Sequence, residues 1–316
     1  MWGLYWLTHV IAVSAIAAAP RVSPSSALRR IPVLNMMILA MRAIGAYGKV
    51  LPHQRRSVEA SSRKGRCGRF LEIVESATLP KRWFFVFYIV GVCVNSWLLL
   101  RPFLFKAKNV GLCPWLFEIH VIRRLCESLL VTKSSSAARM HIVHLVIGVS
   151  YYVAVPLTIL HCSSGGGVLK YRRGEDVLAP WWFPRTLTKD RYSLAAFFLF
   201  FFLNYEQSDC HRILANLRRP SGQSKRHQST NDVPIQRPYS IPRGSWFALV
   251  SCPHYLAEIC IYLSLTILCQ RRRPMLMLVL FVAIELGFSA VSQHDWYKRA
   301  FRDYPKKRKA IIPFLL

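Results

Sequence analysis

Apolar residues in this chain are gathered into long blocks, whereas a soluble protein of this size spreads them at the period of a helix or a strand. Each block approaches the length of about 20 residues that a helix needs to cross a bilayer. The seven blocks are 2–19, 83–100, 110–131, 141–161, 192–206, 246–269 and 274–292. Because charged residues interrupt several of them, the pattern predicts six or seven spans. The expected fold class is all-α, a multi-pass transmembrane helical bundle.

The N-terminal part of the chain carries a further apolar segment and a long polar loop. Residues 31–48 are apolar on one side only, which is typical of a helix lying in the membrane interface. The first block lacks a basic segment before it and runs into more hydrophobic chain, so we interpret it as an uncleaved span. We expect an N-terminal membrane region at 1–130, with its polar loop at 49–82, and a C-terminal membrane domain at 131–316.

Two later polar stretches bear on the orientation of the chain. Residues 162–191 resemble a Gly-rich connection, and the Pro and Gly content of 208–245 excludes helix for most of its length. If 208–245 and the C-terminal tail both face the cytosol, two full spans place the arginines at 271–273 on the far side, against the positive-inside tendency. Either these arginines are an exception, or blocks 246–269 and 274–292 form a shallow hairpin that does not cross fully.

Composition narrows the possible partners. The 43 Lys and Arg residues against 15 Asp and Glu give a formal net charge of +28, and attraction to anionic lipid headgroups explains most of it. The sequence has neither a soluble basic module nor an aromatic-basic motif, so we expect no nucleic acid partner. Its nine Cys residues are scattered without a CxxC pair, which predicts buried free thiols instead of a disulfide framework or a zinc site.

The segment CPHYLAEICIY places three polar residues four positions apart. On a helix His254, Glu258 and Tyr262 therefore lie on one face. An unpaired carboxylate within a membrane is costly, so Glu258 needs hydrogen-bond partners or a polar ligand. Two interpretations follow: a structural hydrogen-bond network between helices, or a face that lines a polar cofactor cavity.

The segment HVIRRLCESLLV places Arg123, Arg124 and Glu127 in an apolar block. Arg123 and Glu127 are four residues apart and pair along a helix. Two buried arginines still need further anionic partners, a requirement that phosphates would meet. The alternative is an interfacial pair whose charged ends reach towards water.

His211, Asn216 and Arg218 follow the fifth block. The run NLRR at the start of a Pro-rich loop suits phosphate or ribose through charge-assisted hydrogen bonds, and it equally suits a basic stop after a span. The sequence contains neither GxGxxG nor GxxxxGK[ST]. A nucleotide would thus be held by scattered side chains without a Rossmann or P-loop cradle.

His294 and Tyr297 lie one helical turn apart at the end of the last apolar block. Either side chain can donate a proton near neutral pH in a suitable environment. A surface His beside an interfacial Tyr is also a common structural pair. The cationic run Lys306, Lys307, Arg308 and Lys309 that follows favours the rim of a functional site.

Several stretches together resemble the steroid 5-alpha-reductase superfamily, and most closely its polyprenol reductase branch, which includes the type 3 and the plant enzymes. The resemblance begins at AYGKV and LPKRWFFVFY, passes through IRRLCESLLVTKSSSAARMHIVH, CHRILANLRRP and SIPRGSWFALVSCPHYLAEICIY, and ends with HDWYKRAFRDYPKKRKAIIPFLL. LPKRWFFVFY and RRLCESLLV are typical of this branch more than of the steroid enzymes. Two features depart from the family: residues 219–237 are longer and more basic, and His254 stands where Asn is frequent.

The resemblance implies an enzyme of the endoplasmic reticulum membrane that uses NADPH to saturate the alpha-isoprene double bond of a long polyprenoid lipid. Its product supplies dolichol for protein N-glycosylation. In this family His294 would be nearest the chemistry, aided by Tyr297, and Arg124 and Glu127 would lie at the membrane end of the cofactor site. The residues lining the remainder of that site would be His211, Asn216, Arg218, His254, Glu258, Tyr262, Tyr297 and Lys309.

Chemistry favours an aldehyde substrate. Hydride addition to the isolated alkene of an allylic alcohol leaves an unstabilised carbanion, whereas addition to a conjugated aldehyde leaves an enolate that a proton donor stabilises. We therefore expect polyprenal as the reduced species. Alternatives within the superfamily are a steroid enone or a trans-2-enoyl thioester. From other classes, a membrane methyltransferase acting on prenylated Cys and a non-catalytic membrane scaffold stay open, and the cofactor consumed distinguishes the methyltransferase.

Overall fold

The structure is a computed structural model that describes residues 5–11, 76–105, 111–133, 138–163, 191–217, 240–270 and 272–315. Helices make up most of this part of the chain, which confirms the helical class, and residues 5–11 are helical as well. The main helices are α1 (Phe85–Phe105), α2 (Leu112–Cys126), α3 (Ile142–Ser163), α4 (Arg191–Asn216), α5 (Pro253–Leu268) and α6 (Arg273–Ala300).

Three helical segments in the described ranges are long and apolar enough to cross a membrane. They are Lys81–Arg101, Ile142–Ser163 and Arg273–Ala300, with mean hydropathies of 2.0, 1.9 and 2.2. α5 is apolar but has only 16 residues. The chain is thus a membrane protein by its helices, while the total of six or seven spans stays a prediction.

Two apolar blocks fold differently from uninterrupted spans. Block 246–269 begins with a 3-10 turn at Ser245–Ala248, and α5 starts only at Pro253. Proline suits the first helical turn because its missing N–H has no partner there in any case. Block 110–131 divides into α2 and a π-helical turn at Glu127–Val131.

A two-stranded antiparallel sheet, which the all-α expectation omitted, joins distant parts of the chain. Strand β1 (Thr78–Pro80) pairs with β2 (Arg139–His141), with Thr78 opposite His141. The pair continues into backbone hydrogen bonds on either side, from Lys81 N to Ala138 O at 2.8 Å and from Ile142 N to Ala77 O at 2.9 Å. It therefore fixes the start of α1 beside the start of α3.

Small residues allow α1 and α3 to pack closely. A Cβ atom at Gly148 would lie 2.6 Å from the ring of Phe87, and one at Gly91 would lie 2.7 Å from Tyr152. Close approach through glycine is a common means of helix association in membranes, where hydrophobic burial between helices contributes little. The N-terminal helical segment joins this pair because Trp6 Nε1 donates to Thr158 Oγ1 at 3.2 Å.

The bundle has an apolar core and an apolar outer surface. Phe117, Phe200 and Leu265 are almost fully buried where α2, α4 and α5 meet, whereas Phe198 and Phe202 on α4 are exposed. Large exposed apolar side chains are expected where lipid replaces water as the solvent.

Several predicted segments lie outside the described residues. They are the interfacial segment 31–48 and most of the loops predicted at 49–82, 162–191 and 208–245. The first residues of the last stretch are helical, because α4 continues to Asn216.

Candidate functional site

A network of polar side chains fills the space between α2, α4 and α5, with one contribution from α1. We call it the interhelical cluster. Its members are Tyr88, His120, Arg123, Arg124, Glu127, Asn204, Gln207, His211 and Glu258.

Glu127 is the centre of one half of this cluster. It opens the π-helical turn that follows α2, and its side chain is buried. Its Oε2 accepts from Arg124 Nη1 at 2.7 Å and lies 2.7 Å from His211 Nδ1, while Oε1 pairs with Arg123. Arg124 Nη2 donates to the Tyr88 hydroxyl at 2.7 Å. One carboxylate therefore connects α2 with α4, and Arg124 connects both with α1.

Glu258 is the centre of the other half. Its Oε1 lies 3.3 Å from His120 Nε2, and its Oε2 accepts from the Gln207 amide. The second nitrogen of His120 is 2.9 Å from Asn204 Oδ1, and Gln207 Nε2 also donates to the carbonyl of His254 at 3.1 Å. Glu258 on α5 is thus bound to α2 and α4 together.

The charged side chains of the cluster are paired with other side chains of the protein. Arg123 and Arg124 face the carboxylate of Glu127, and Glu258 faces the imidazole of His120. The sequence suggested that phosphates would satisfy the two arginines, but Glu127 already supplies an anionic partner to both. For Glu258, these contacts form the hydrogen-bond network between helices that was one of its two interpretations.

A second network joins the end of α6 to the C-terminal tail. We call it the tail cluster; its members are Ser251, His294, Tyr297, Tyr304, Arg308 and Lys309. The Ser251 hydroxyl lies 2.6 Å from His294 Nδ1 and 2.6 Å from the Tyr304 hydroxyl, and it donates to the carbonyl of Lys309 at 3.0 Å.

Backbone hydrogen bonds and stacked rings hold the tail cluster in place. Ser251 N donates to Lys309 O at 2.8 Å, within a short parallel pairing of Val250 with Lys309. The Tyr297 and Tyr304 rings stack at 5.4 Å, and Arg308 lies over Tyr304 at 5.1 Å. These contacts therefore hold the tail in one position beside His294.

Most of the predicted site residues belong to these two clusters or adjoin one of them. Arg124, Glu127, His211 and Glu258 belong to the interhelical cluster. His254 adjoins it through its carbonyl and through its ring, which lies 5.6 Å from that of His211; the Tyr262 ring lies 6.2 Å from that of His120. His294, Tyr297 and Lys309 belong to the tail cluster. Asn216 is the last residue of α4, and Arg218 lies outside the described residues.

The start of α5 connects the two clusters. Ser251 of the tail cluster is three residues before His254, which borders the interhelical cluster. The short stretch 251–254 thus contacts both clusters.

Sequence reasoning missed several members of both clusters. Asn204 and Gln207 are three residues apart, and His211 comes four residues later, so they form a polar stripe on an apolar helix. That spacing is a readable signal for the interhelical cluster. Tyr88, Ser251 and Tyr304 have no comparable signal, because single hydroxyl residues in apolar helices and loops are common.

Comparison with known proteins identifies the family. The family model of 3-oxo-5-alpha-steroid 4-dehydrogenase matches residues 176–316. A polyprenal reductase of Caenorhabditis elegans is 30% identical, and the match covers 84% of this chain and 90% of that protein. Polyprenal reductase 1 of Arabidopsis thaliana is 32% identical over 75% of this chain and 81% of its own length, and the Homo sapiens polyprenal reductase is 32% identical over 75% and 78%. The chain belongs to the polyprenal reductase family of the steroid 5-alpha-reductase superfamily.

Proposed function

We propose that this protein reduces the alpha-isoprene double bond of polyprenal, with NADPH as the hydride source. The similarity that spans 90% of the Caenorhabditis elegans polyprenal reductase carries this proposal. Membership of the family makes the chain an oxidoreductase acting on a carbon–carbon double bond. The same similarity favours the aldehyde over the alcohol, in agreement with the enolate chemistry expected from the sequence.

The side chains of the two clusters suit a nicotinamide dinucleotide in kind. The interhelical cluster offers guanidinium groups for phosphate, and carboxylates and an amide for ribose hydroxyls and a carboxamide. Arg124 Nε is buried and has no hydrogen-bond partner within the described part of the chain, so this donor is available to a bound group. Next to the tail cluster, Lys306 and Lys307 are exposed cations. We assign cofactor binding to Arg124, Glu127, His211, Asn216, His254, Glu258, Tyr262 and Lys309, and also to Arg218, which lies outside the described residues.

A bound NADPH would supply a hydride for the carbon beta to the carbonyl, so that the double bond of the substrate would become an enolate. His294, or Tyr297 beside it, polarises the carbonyl oxygen in this proposal, and a proton then adds at the alpha carbon. Ser251 holds His294 by Nδ1, so Nε2 is the nitrogen that can face a substrate. The products are the saturated aldehyde and NADP⁺, which balances one hydride and one proton against one double bond.

The bundle suits a long lipid substrate. The apolar side chains on its outer surface support a reaction at the membrane, and we propose that the polyprenoid tail leaves between helices into the bilayer. We propose an endoplasmic reticulum location, a cytosolic C-terminus that meets cytosolic NADPH, and a role in supplying dolichol for protein N-glycosylation. Release of the protein by carbonate, or a C-terminal tag protected from protease in sealed microsomes, would contradict this topology.

The test uses microsomes or detergent-purified protein bearing the full chain. We expect NADPH to convert polyprenal into a product two hydrogens heavier, with deuterium from labelled NADPH at the carbon beta to the carbonyl. Polyprenol should be inert without prior oxidation. Turnover of polyprenol alone, or consumption of S-adenosylmethionine in place of NADPH, would overturn the assignment.

A further inference from the structure

Three thiols meet at the end of the bundle that lies away from the tail cluster. They come from the first turn of α2, the last turn of α3 and the residue that follows α5. Together with a neighbouring hydroxyl they form what we call the thiol cluster, whose members are Cys113, Cys162, Ser163 and Cys269. Each of the three cysteines is only 3% exposed. The reaction proposed above uses none of them.

Cys113 and Cys269 converge on one backbone carbonyl. Cys113 Sγ donates to Leu265 O at 4.0 Å, and Cys269 N donates to the same oxygen at 2.9 Å. The two thiol groups also interact directly. A disulfide has a narrow range of geometry, with Cα atoms about 4.4–6.8 Å apart. Because both residues lie at helix ends, where the backbone is held by fewer hydrogen bonds, a small adjustment brings them into that range.

Cys269 lies beside groups that favour its reactive form. The Ser163 hydroxyl is 3.7 Å from Cys269 Sγ, and the guanidinium of Arg272 is within electrostatic range of that sulfur. The thiolate is the form that attacks a disulfide, and a neighbouring cation favours the thiolate. Cys269 is therefore suited to the attack, and Cys113 is the thiol beside it that completes the exchange.

The direction of α5 places the thiol cluster on one side of the membrane. The start of α5 adjoins the tail cluster, since Ser251 contacts His294. Its 16 residues span about 24 Å, which approaches the roughly 30 Å thickness of the hydrocarbon core. The thiol cluster thus lies at the membrane face opposite to the tail. With the cytosolic C-terminus proposed above, this face is lumenal, and the lumen of the endoplasmic reticulum is a compartment in which disulfides form and persist.

We propose that Cys113 and Cys269 form a disulfide bond that joins the start of α2 to the end of α5. This inference goes beyond the proposed reaction, and it takes from the proposed function only the location and the orientation of the chain. The oxidant is another disulfide, either of glutathione or of a lumenal oxidoreductase. The Cys269 thiolate attacks it to form a mixed disulfide, which the Cys113 thiolate then resolves. One S–S bond breaks and one forms, while two electrons and the two thiol protons pass to the oxidant.

The bond restrains the two helices that share the interhelical cluster. His120 of α2 contacts Glu258 of α5 within the membrane, and the disulfide holds the same two helices at the lumenal end. It closes a long loop, which restricts the unfolded chain more than the folded one. Since both thiols are buried in the folded protein, the exchange takes place before the helix ends pack, and the completed bond is then shielded from reductants.

Peptide mass spectrometry tests the bond directly. The full chain is expressed in the endoplasmic reticulum, denatured without reductant in the presence of N-ethylmaleimide, and digested. We expect Cys113 and Cys269 in one linked pair of peptides, and Cys162 as the alkylated thiol. Reduction before alkylation should release both peptides. Cys113→Ser should leave Cys269 alkylated.

Thermal unfolding in detergent separates a covalent bond from two independently packed thiols. Cys113→Ser and Cys269→Ser should each lower the unfolding temperature by roughly 5 °C or more. The double variant should fall no further than either single variant, because the bond is lost only once. Cys162→Ser is the matched control from the same cluster: it should keep the linked peptides and lose less. Additive losses in the double variant would contradict a disulfide.

The results distinguish this inference from the proposed function. Alkylation of both Cys113 and Cys269, or a linked pair of peptides containing Cys162, overturns this inference alone when the same preparation reduces polyprenal. A Cys113–Cys269 link in a protein that leaves polyprenal unreduced supports this inference and overturns the proposed reaction. A C-terminal tag protected in sealed microsomes contradicts the proposed orientation and this inference together.

Discussion

The two polar clusters are held together in different ways. The interhelical cluster joins three helices through charged side chains, with Glu127 shared by two guanidinium groups and one imidazole. In the tail cluster, the neutral hydroxyl of Ser251 contacts His294, Tyr304 and the carbonyl of Lys309, and backbone hydrogen bonds and stacked rings complete the network. Loss of one charge therefore threatens the bundle itself in the first cluster. In the second, we expect loss of a side chain to change the position or the supply of a proton in the proposed reaction, while the fold persists.

The largest expected effect is on catalysis through the tail cluster. General acid assistance contributes typically 10²–10⁴-fold, so His294→Ala should lower turnover of polyprenal by about that factor while NADPH affinity changes little. Tyr297→Phe should cost less if Tyr297 orients the nicotinamide, and as much if it is the donor. Both variants are assayed for turnover, with cofactor affinity measured separately. Near-normal turnover in His294→Ala together with an inactive Tyr297→Phe would show that the tyrosine is the donor.

The next effect is on stability through the interhelical cluster. Glu127→Ala leaves two guanidinium groups without their shared carboxylate, and breaking a buried ion pair typically costs about 3–5 kcal/mol. We expect a large loss of thermal stability in detergent, measured by fluorescence-detected unfolding. Asp209→Ala is the matched control, because it breaks the exposed pair of Asp209 with Arg212 at 3.5 Å and should cost less than about 1 kcal/mol. Equal losses in both variants would remove the distinction between the clusters.

A smaller effect is expected on cofactor affinity. In the proposed site, Glu258→Gln weakens the charge-assisted hydrogen bond between this buried carboxylate and the cofactor. Such a bond is worth about 1.5–3 kcal/mol, so the Michaelis constant for NADPH should rise about tenfold or more. Arg218→Ala, two residues after the end of α4 in the sequence, should raise it by a similar factor. Steady-state kinetics over a range of NADPH concentrations measure both. Two folded variants with the wild-type constant would show that the cofactor site is misplaced.

The smallest expected effect concerns the support of His294. Ser251→Ala removes a neutral hydrogen bond of about 1 kcal/mol, so turnover should fall by roughly fivefold with little change in stability. Ser251→Thr keeps the hydroxyl and should restore most of the activity. If Ser251→Ala were as slow as His294→Ala, the serine would act in the reaction directly.

The sequence predicted the features that depend on the periodicity of polar and apolar residues. The four-residue spacing of His254, Glu258 and Tyr262 predicted one helical face, and α5 contains all three. Apolar blocks located the helices, but their ends depend on local backbone chemistry. α5 begins late because a 3-10 turn and a loop precede Pro253.

Contacts between distant segments were beyond sequence patterns. Nothing in the apolar run of α1 distinguishes Tyr88 as the partner of Arg124. The pairing of Ser251 with Lys309 depends on how the tail folds back onto residues 249–252. The family resemblance proposed a single lining for the cofactor, whereas the structure distributes those residues between two clusters, and which of them touch the cofactor stays a proposal.

The parallel pairing of Val250 with Lys309 has a consequence for the order in which the protein is made. The last member of the interhelical cluster to be synthesised is Glu258, so this cluster can close as soon as α5 has entered the membrane. The tail cluster has to wait until Lys309 has left the ribosome. A nascent chain arrested between these two points would hold a charge-paired bundle without the proposed proton donor His294 fixed in place, and the tail cluster is then added last to a bundle that has already formed.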